Sequence, residues 1–193
     1  MLLTLITSLF STACAGDTLI VARGVAEAWG DPAIGSVYRT GALMGAVGVV
    51  VPIAGPISID VEAAYRRMDA RIGDGDHVFQ LLPITLLGEF TFPAKEVPID
   101  PFVGLGFAMA SFSERHPANA DGLTITRGAR PSLELRAGIR LDLGLVHPPM
   151  PPARSVVQRV DLEVFGARRA QRPGAAGFDL AAWRGGLGLA IAL

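Results

Sequence analysis

The chain has 193 residues, half of them hydrophobic and 18% charged, with a formal net charge of −1. A near-neutral balance without a basic cluster gives no electrostatic case for binding nucleic acid. There is also no run of about 18 apolar residues of the kind a membrane-spanning helix needs. The most apolar stretch, residues 42–57, is broken by Gly45, Gly48, Pro52, Gly55 and Pro56. High hydrophobicity without helical spans is the pattern of a membrane barrel, whose lipid face is divided among many short strands. Length alone argues for one domain.

Residues 1–15 read as a secretion signal. Met1 to Phe10 is a short apolar segment, and Ala13-Cys14-Ala15 fits a small-x-small cleavage site. Neither Lys nor Arg precedes the apolar part, which departs from the usual form. Cys14 admits a second reading as a lipid-modified N-terminus, although Ser11 stands where that pattern wants Leu. Cys14 is the only cysteine, so cleavage after Ala15 leaves a mature chain, residues 16–193, with neither a disulfide nor a thiolate metal site.

Strand side chains point to alternate faces with period two. Strand one lies within Thr18 to Trp29, with Arg23 and Glu27 on one parity, and its alternation is poor. Gly30-Asp31-Pro32 breaks the chain, and Tyr38 to Val51 supplies strand two. A short turn over Pro52 to Pro56 leads into strand three, where Ile57, Ile59, Val61, Ala63 and Tyr65 alternate with Ser58, Asp60, Glu62, Ala64 and Arg66. Met68 to His77 reads as an exposed loop. Strand four, Phe79 to Phe92, sets Leu82, Ile84, Leu86 and Phe90 against Thr85 and Glu89. After a proline-bound connection, strand five runs from Phe102 to about Phe112. It has a small face of Gly104, Gly106, Ala108 and Ala110 behind Val103, Leu105, Phe107 and Met109.

Ser113 to Pro131 is polar and reads as the longest loop up to that point. Strand six, Ser132 to Leu145, shows the clearest alternation. Leu133, Leu135, Ala137, Ile139, Leu141 and Leu143 share one face, and Glu134, Arg136, Gly138, Arg140 and Asp142 the other. Its apolar face is uniform over about the 9–11 residues that a tilted strand needs to cross a bilayer. The prolines of 147–152 cannot supply ladder donors and mark a turn. Strand seven, Val156 to Ala167, has Val160, Leu162 and Val164 opposite Arg159, Asp161, Glu163 and Phe165. Arg168 to Gly177 reads as a loop, and strand eight carries Leu187, Leu189, Ile191 and Leu193.

These strands describe an all-β fold: an eight-stranded antiparallel up-and-down transmembrane β-barrel after an N-terminal signal segment. An open sheet in lipid would leave two edges unpaired, so membrane insertion requires closure. Connections after strands two, four and six are short or proline-bound and those after one, three, five and seven polar and mostly longer. That asymmetry places both termini in the periplasm.

In its eight-strand layout, its PFVGLGFAMASF strand after a short turn and its final strand at the C-terminus, the chain resembles the small OmpA/OmpX-like outer-membrane barrel proteins. The resemblance covers essentially all of residues 16–193. It implies an integral outer-membrane protein with outer-membrane lipid and the barrel-assembly machinery as partners, and possible surface partners through external loops. One departure is the last residue, Leu193, where such proteins usually end on Phe or Trp. No segment after the last strand suggests a peptidoglycan-binding domain.

The inward parity collects Asp60, Glu62, Arg66, Glu89, Glu134, Arg136, Arg140, Asp142, Arg159, Asp161, Glu163 and Arg184. A barrel of about eight strands has an interior just wide enough to be filled by side chains, so these charges are expected to pair and fill the lumen rather than line a pore. Two other readings compete. A lipocalin-like soluble or periplasmic carrier would turn the charged parity outward and hold an apolar ligand inside. A small outer-membrane lipid hydrolase could recruit Ser113, Glu114 and His116, though residues so close in one loop rarely adopt triad geometry. His77 with Asp74 and Asp76 could hold a metal, but in a Gly-rich loop such a cluster is more often solvated; His147 adjoins the proline turn. The expectation is a structural or surface-interaction barrel, not an enzyme, without cofactor or metal.

Overall fold

The computed structural model describes residues 17–30, 38, 43–69, 78–92, 97–118, 122–144, 158–171 and 180–193. Eight strands follow in order: β1 (Leu19–Trp29), β2 (Met44–Ala54), β3 (Ile57–Asp69), β4 (Val78–Thr91), β5 (Ile99–Ala118), β6 (Gly122–Asp142), β7 (Arg159–Gln171) and β8 (Ala182–Ala192). Each pairs antiparallel with the next, and β1 pairs with β8 from Leu19↔Ala192 to Trp29↔Ala182, which closes the barrel. Closure leaves no edge with unpaired backbone groups. At the seam's two ends Leu193 donates to Thr18 and Gly30 to Ala181, at 3.1 and 2.8 Å.

Strict alternation sorts the side chains. On β3 every second residue from Ser58 to Met68 is buried, and the intervening ones face out. The outer face is apolar: Val47, Leu86, Leu105, Phe107, Leu135 and Leu187 are all exposed. The charged residues of the same strands lie inside. This is the reverse of what a lipocalin-like carrier requires, because an apolar ligand would need the apolar parity within.

Several boundaries differ from those read in the sequence. Strand β2 begins at Met44 rather than Tyr38 and runs through Pro52 with a bulge, so the turn narrows to Gly55-Pro56. Gly55 takes a φ of 53°, a left-handed conformation that glycine adopts without penalty. Strand β3 continues to Asp69, past the start of the loop expected at Met68, and Met68 is buried. Ser113 to Pro131 is not a loop. It is the upper part of a β5–β6 hairpin whose pairing continues to Ala118↔Gly122. Beyond the apolar belt both faces of a strand meet polar surroundings, so alternation fades while backbone pairing persists. The connection after β6 runs from residue 143 to residue 158. Residues 1–16, with the signal segment and Cys14, and His77, Asp74, Asp76 and His147 lie outside the described residues.

Aromatic rings cover inward glycines on neighbouring strands. Phe102 faces Gly138, Phe112 faces Gly128 and Phe165 faces Gly186 in the pairing register. A Cβ at Gly186 would lie 2.6 Å from the Phe165 ring and 2.7 Å from the Gly24 carbonyl oxygen. Such glycine–aromatic pairing across strands fixes register while giving a bulky ring space in a narrow barrel. We expect Gly186→Ala to cost about 1–3 kcal/mol through overpacking. At outward-facing Gly166 an added Cβ would meet nothing within 4 Å, so Ala should be accepted there at little cost. Urea titration of the two variants refolded into lipid vesicles compares them.

Candidate functional site in the barrel lumen

The lumen is built in layers. Near the chain termini Leu19, Val21, Val50, Ala190 and Ala192 form an apolar cluster. At the opposite end Tyr38, Met68, Phe79, Leu81, Ala110 and Leu180 form another, with Trp29 and Phe112 against it. Tyr38 donates its hydroxyl to Glu114, and burial followed by the Glu114 carboxylate pushes that hydroxyl's pKa above its ordinary value. The filling is therefore partly apolar, beyond the charged filling expected from the sequence.

Between these clusters lies a continuous ion-pair network. Arg140 grips Glu89 with two nitrogens at 2.6 and 2.9 Å and reaches Glu163 at 3.0 Å. Glu163 also accepts from Arg23 at 2.6 and 3.2 Å, and Arg23 contacts Asp60 at 3.0 Å and Glu62 at 2.9 Å. Arg136 joins Asp60 and Glu134, each at 2.8 Å, and Glu62 at 3.1 Å. Arg184 bridges Glu62 at 3.0 Å and Glu134 at 2.8 Å. Arg169 connects Glu134 at 3.0 Å to Glu27 at 3.4 Å, and Arg66 meets Glu27 at 3.5 Å. The network thus ties β1, β3, β4, β6, β7 and β8 together.

Strands β2 and β5 contribute space instead of charge. A Cβ at Gly48 would sit 2.9 Å from an Arg23 nitrogen and 3.2 Å from an Asp60 oxygen. Two rings carry the guanidinium planes: Arg140 lies 4.3 Å over Phe102, and Arg136 lies 4.9 Å over Phe165. Charge-assisted, bidentate arginine–carboxylate bonds offset the cost of removing both charges from water, which single unpaired charges could not do.

Ten of the twelve residues assigned inward from the sequence are buried: Asp60, Glu62, Arg66, Glu89, Glu134, Arg136, Arg140, Asp161, Glu163 and Arg184. Asp142 and Arg159 are partly buried and stand toward the termini end of the barrel. Asp142 is only partly buried and accepts from the Gly144 amide at 2.8 Å, and Arg159, with its side chain 35% exposed, pairs with Asp161 at 2.9 Å. They share the inward parity but stand past the enclosed section.

Three members of the network, Arg23, Glu27 and Arg169, are additional to that set. Arg23 and Glu27 share the inward parity of β1 with Leu19, Val21 and Val25. The signal was their spacing of four residues. Arg169 continues the parity of Glu163, Phe165 and Ala167, because β7 runs through the stretch read as a loop. Ser113 and Glu114 are adjacent on β5 and face opposite sides, so these two do not converge as members of a hydrolytic triad. Glu114 is instead the acceptor for Tyr38.

We expect Arg23→Met, which strips one partner from Asp60, Glu62 and Glu163, to cost about 3–5 kcal/mol, the usual cost of breaking a buried ion pair. Arg67→Met, whose pair with Asp69 is solvent-exposed on both sides, should cost about 0–1 kcal/mol. Unfolding titrations in vesicles of one lipid composition measure both.

No family model matches the sequence, and no curated sequence relative does either. Solved structures do match. Neisserial surface protein A superposes with a TM-score of 0.59 at 12% identity, covering 91% of this chain and 96% of that one. OprG of Pseudomonas aeruginosa gives 0.55 at 12% identity over 94% and 98% of the two chains. The N-terminal β-barrel domain of Pseudomonas aeruginosa OprF gives 0.51 at 11% identity over 91% and 97%. Taken with strand order, closure and the distribution of apolar and charged faces, the chain has the fold of the small eight-stranded outer-membrane β-barrels of the OmpA/OmpX kind.

Proposed function

We propose that the protein is an integral barrel of the bacterial outer membrane with a structural or surface-interaction role, exported by residues 1–15 as a signal peptide. The observation that supports this reading is the pairing of an apolar outer belt with a lumen closed by paired charges. Lipid is the solvent that such a belt fits, because large exposed apolar surfaces on soluble monomers rarely extend around the whole molecule. The closed lumen leaves no route for bulk solutes, so transport through the barrel is not its task. Contacts beyond the membrane belong to the connections after β1, β3, β5 and β7, and to the projecting β5–β6 hairpin. In this reading the barrel-assembly machinery and outer-membrane lipid are obligatory partners, and any surface partner meets the hairpin end. Membrane fractionation with protease digestion of intact cells tests it: a membrane-bound protein cut only in those connections supports the proposal, and a soluble periplasmic one overturns it.

Two measurements probe the belt and the lumen. Leu86 lies mid-strand on β4 and 52% exposed, between Val61 and Phe107 in the pairing register. Leu86→Arg should cost about 2–4 kcal/mol, whereas Gln80→Arg near the hairpin end of the same strand should cost about 0–1 kcal/mol. Planar-bilayer recordings of the refolded protein should show no large, steady conductance, and a stable open channel would move a pore function into first place.

A further inference from the structure

Above the apolar belt, the outer wall carries a row of polar side chains aligned across four strands. Arg67 on β3 pairs in register with Gln80 on β4, Gln80 with Ser113 on β5, and Ser113 with Arg127 on β6. Arg115 stands one outward position further along β5, opposite Val78. These six residues line a groove of about 290 Å³. Immediately below lie Leu82, Ser111 and Ala129, then Ile84, Met109 and Pro131, then Leu86, Phe107 and Leu133. The groove therefore borders the lipid belt directly.

We propose that this groove binds the phosphorylated saccharide headgroup of an outer-leaflet glycolipid; the proposal rests on the outer-membrane reading above. Three guanidinium groups converge on one side of the barrel at the height where lipid headgroups begin. Arg67 has an acidic neighbour, Asp69, at 3.3 Å, and both side chains are more than half exposed. Among the described residues no carboxylate forms an ion pair with Arg115 or Arg127. Glu114, next along β5, is on the lumen side and engaged by Tyr38.

The chemistry selects the ligand. Guanidinium forks bind phosphate oxygens through paired hydrogen bonds, and long arginine stems can lie along apolar surface while their heads reach the headgroup layer. Arg67 and Arg127 are three inter-strand spacings apart, roughly 14 Å at about 4.8 Å per spacing. One phosphate cannot bridge that span, but a headgroup carrying two phosphates on a saccharide can. Between them Gln80 and Ser113 offer an amide and a hydroxyl, which suit sugar hydroxyls. The acyl chains of such a lipid would descend along Leu82, Ile84 and Met109.

The test uses the refolded full-length barrel and its Arg67→Gln/Arg115→Gln/Arg127→Gln variant in phosphatidylcholine vesicles containing a minor fraction of bisphosphorylated lipid A. Insertion is read from the gel shift between heated and unheated samples, and retained lipid from native mass spectrometry after extraction. The wild type should retain lipid A over phosphatidylglycerol and over the dephosphorylated glycolipid. The triple variant should insert and lose retention on the order of a hundredfold, the loss expected for removing three interfacial cations. Arg168→Gln removes an outward arginine away from the row, lying over Trp183, and should retain the lipid as the wild type does. Equal retention by wild type and triple variant, or equal loss in Arg168→Gln, would overturn the proposal while leaving the membrane reading intact. Wild-type retention that does not distinguish lipid A from its dephosphorylated form would overturn it even if the triple variant failed to insert. Failure of the wild type to insert would overturn both readings.

Discussion

Eight strands enclose too little space for bulk water, and that constraint governs what the interior can contain. Arginines and carboxylates placed there must satisfy one another, since the protein offers them no solvent. The contacts from Glu89 through Arg140, Glu163 and Arg23 to Asp60 and Glu62 do this with short, often two-point bonds. Everything else in the barrel accommodates that arrangement. Glycine at position 48 leaves room for the Arg23 head, and Phe102 and Phe165 support guanidinium planes from beneath. Apolar clusters pack against the charged section toward either end.

The outer surface answers to a second solvent. Lipid asks only that the face be apolar and the backbone fully paired. This explains why β1 shows mostly Ala and Gly to the outside while β4 shows Leu, Ile and Phe. Hydrocarbon packs against either, and the size difference is free to serve the shape of the wall. The aromatic pair Phe90 and Phe92, with ring centroids 4.8 Å apart, stands toward the termini end of β4. Trp183 stands at the other end of the barrel beneath the Arg168 guanidinium. Few aromatic residues are present in the composition, but these occupy the positions where the belt gives way to polar surroundings.

Strand identity and facing were legible wherever one face was large and apolar and the other charged, as in β3 and β6. The alternation of β1 was obscured because its outward residues, Ala22, Gly24, Ala26 and Ala28, are too small to register as a hydrophobic face. Arg169 was hidden for a different reason. Polar neighbours in the run from Arg168 to Gln171 look like a loop, yet the parity of Glu163 and Phe165 carries through them. Height along the barrel was not legible at all. Asp142 and Arg159 share the inward parity with Arg140 and Asp161, but parity reports a face, and distance from the mouth depends on how strands are staggered. The extended β5–β6 hairpin was missed because backbone pairing outside the membrane leaves no hydrophobic period to read.

The ion pairs also join residues far apart in sequence. Arg23 and Glu163 are separated by 140 positions, and Glu27 and Arg169 by 142. A sheet missing either end of the chain would therefore hold uncompensated charge, and a strand slipped by one residue would present its arginines and carboxylates to hydrocarbon. Both errors are far costlier in lipid than in water. The closed, in-register barrel is thus the arrangement in which these charges are all paired, and a partly closed or slipped sheet leaves some of them without a partner.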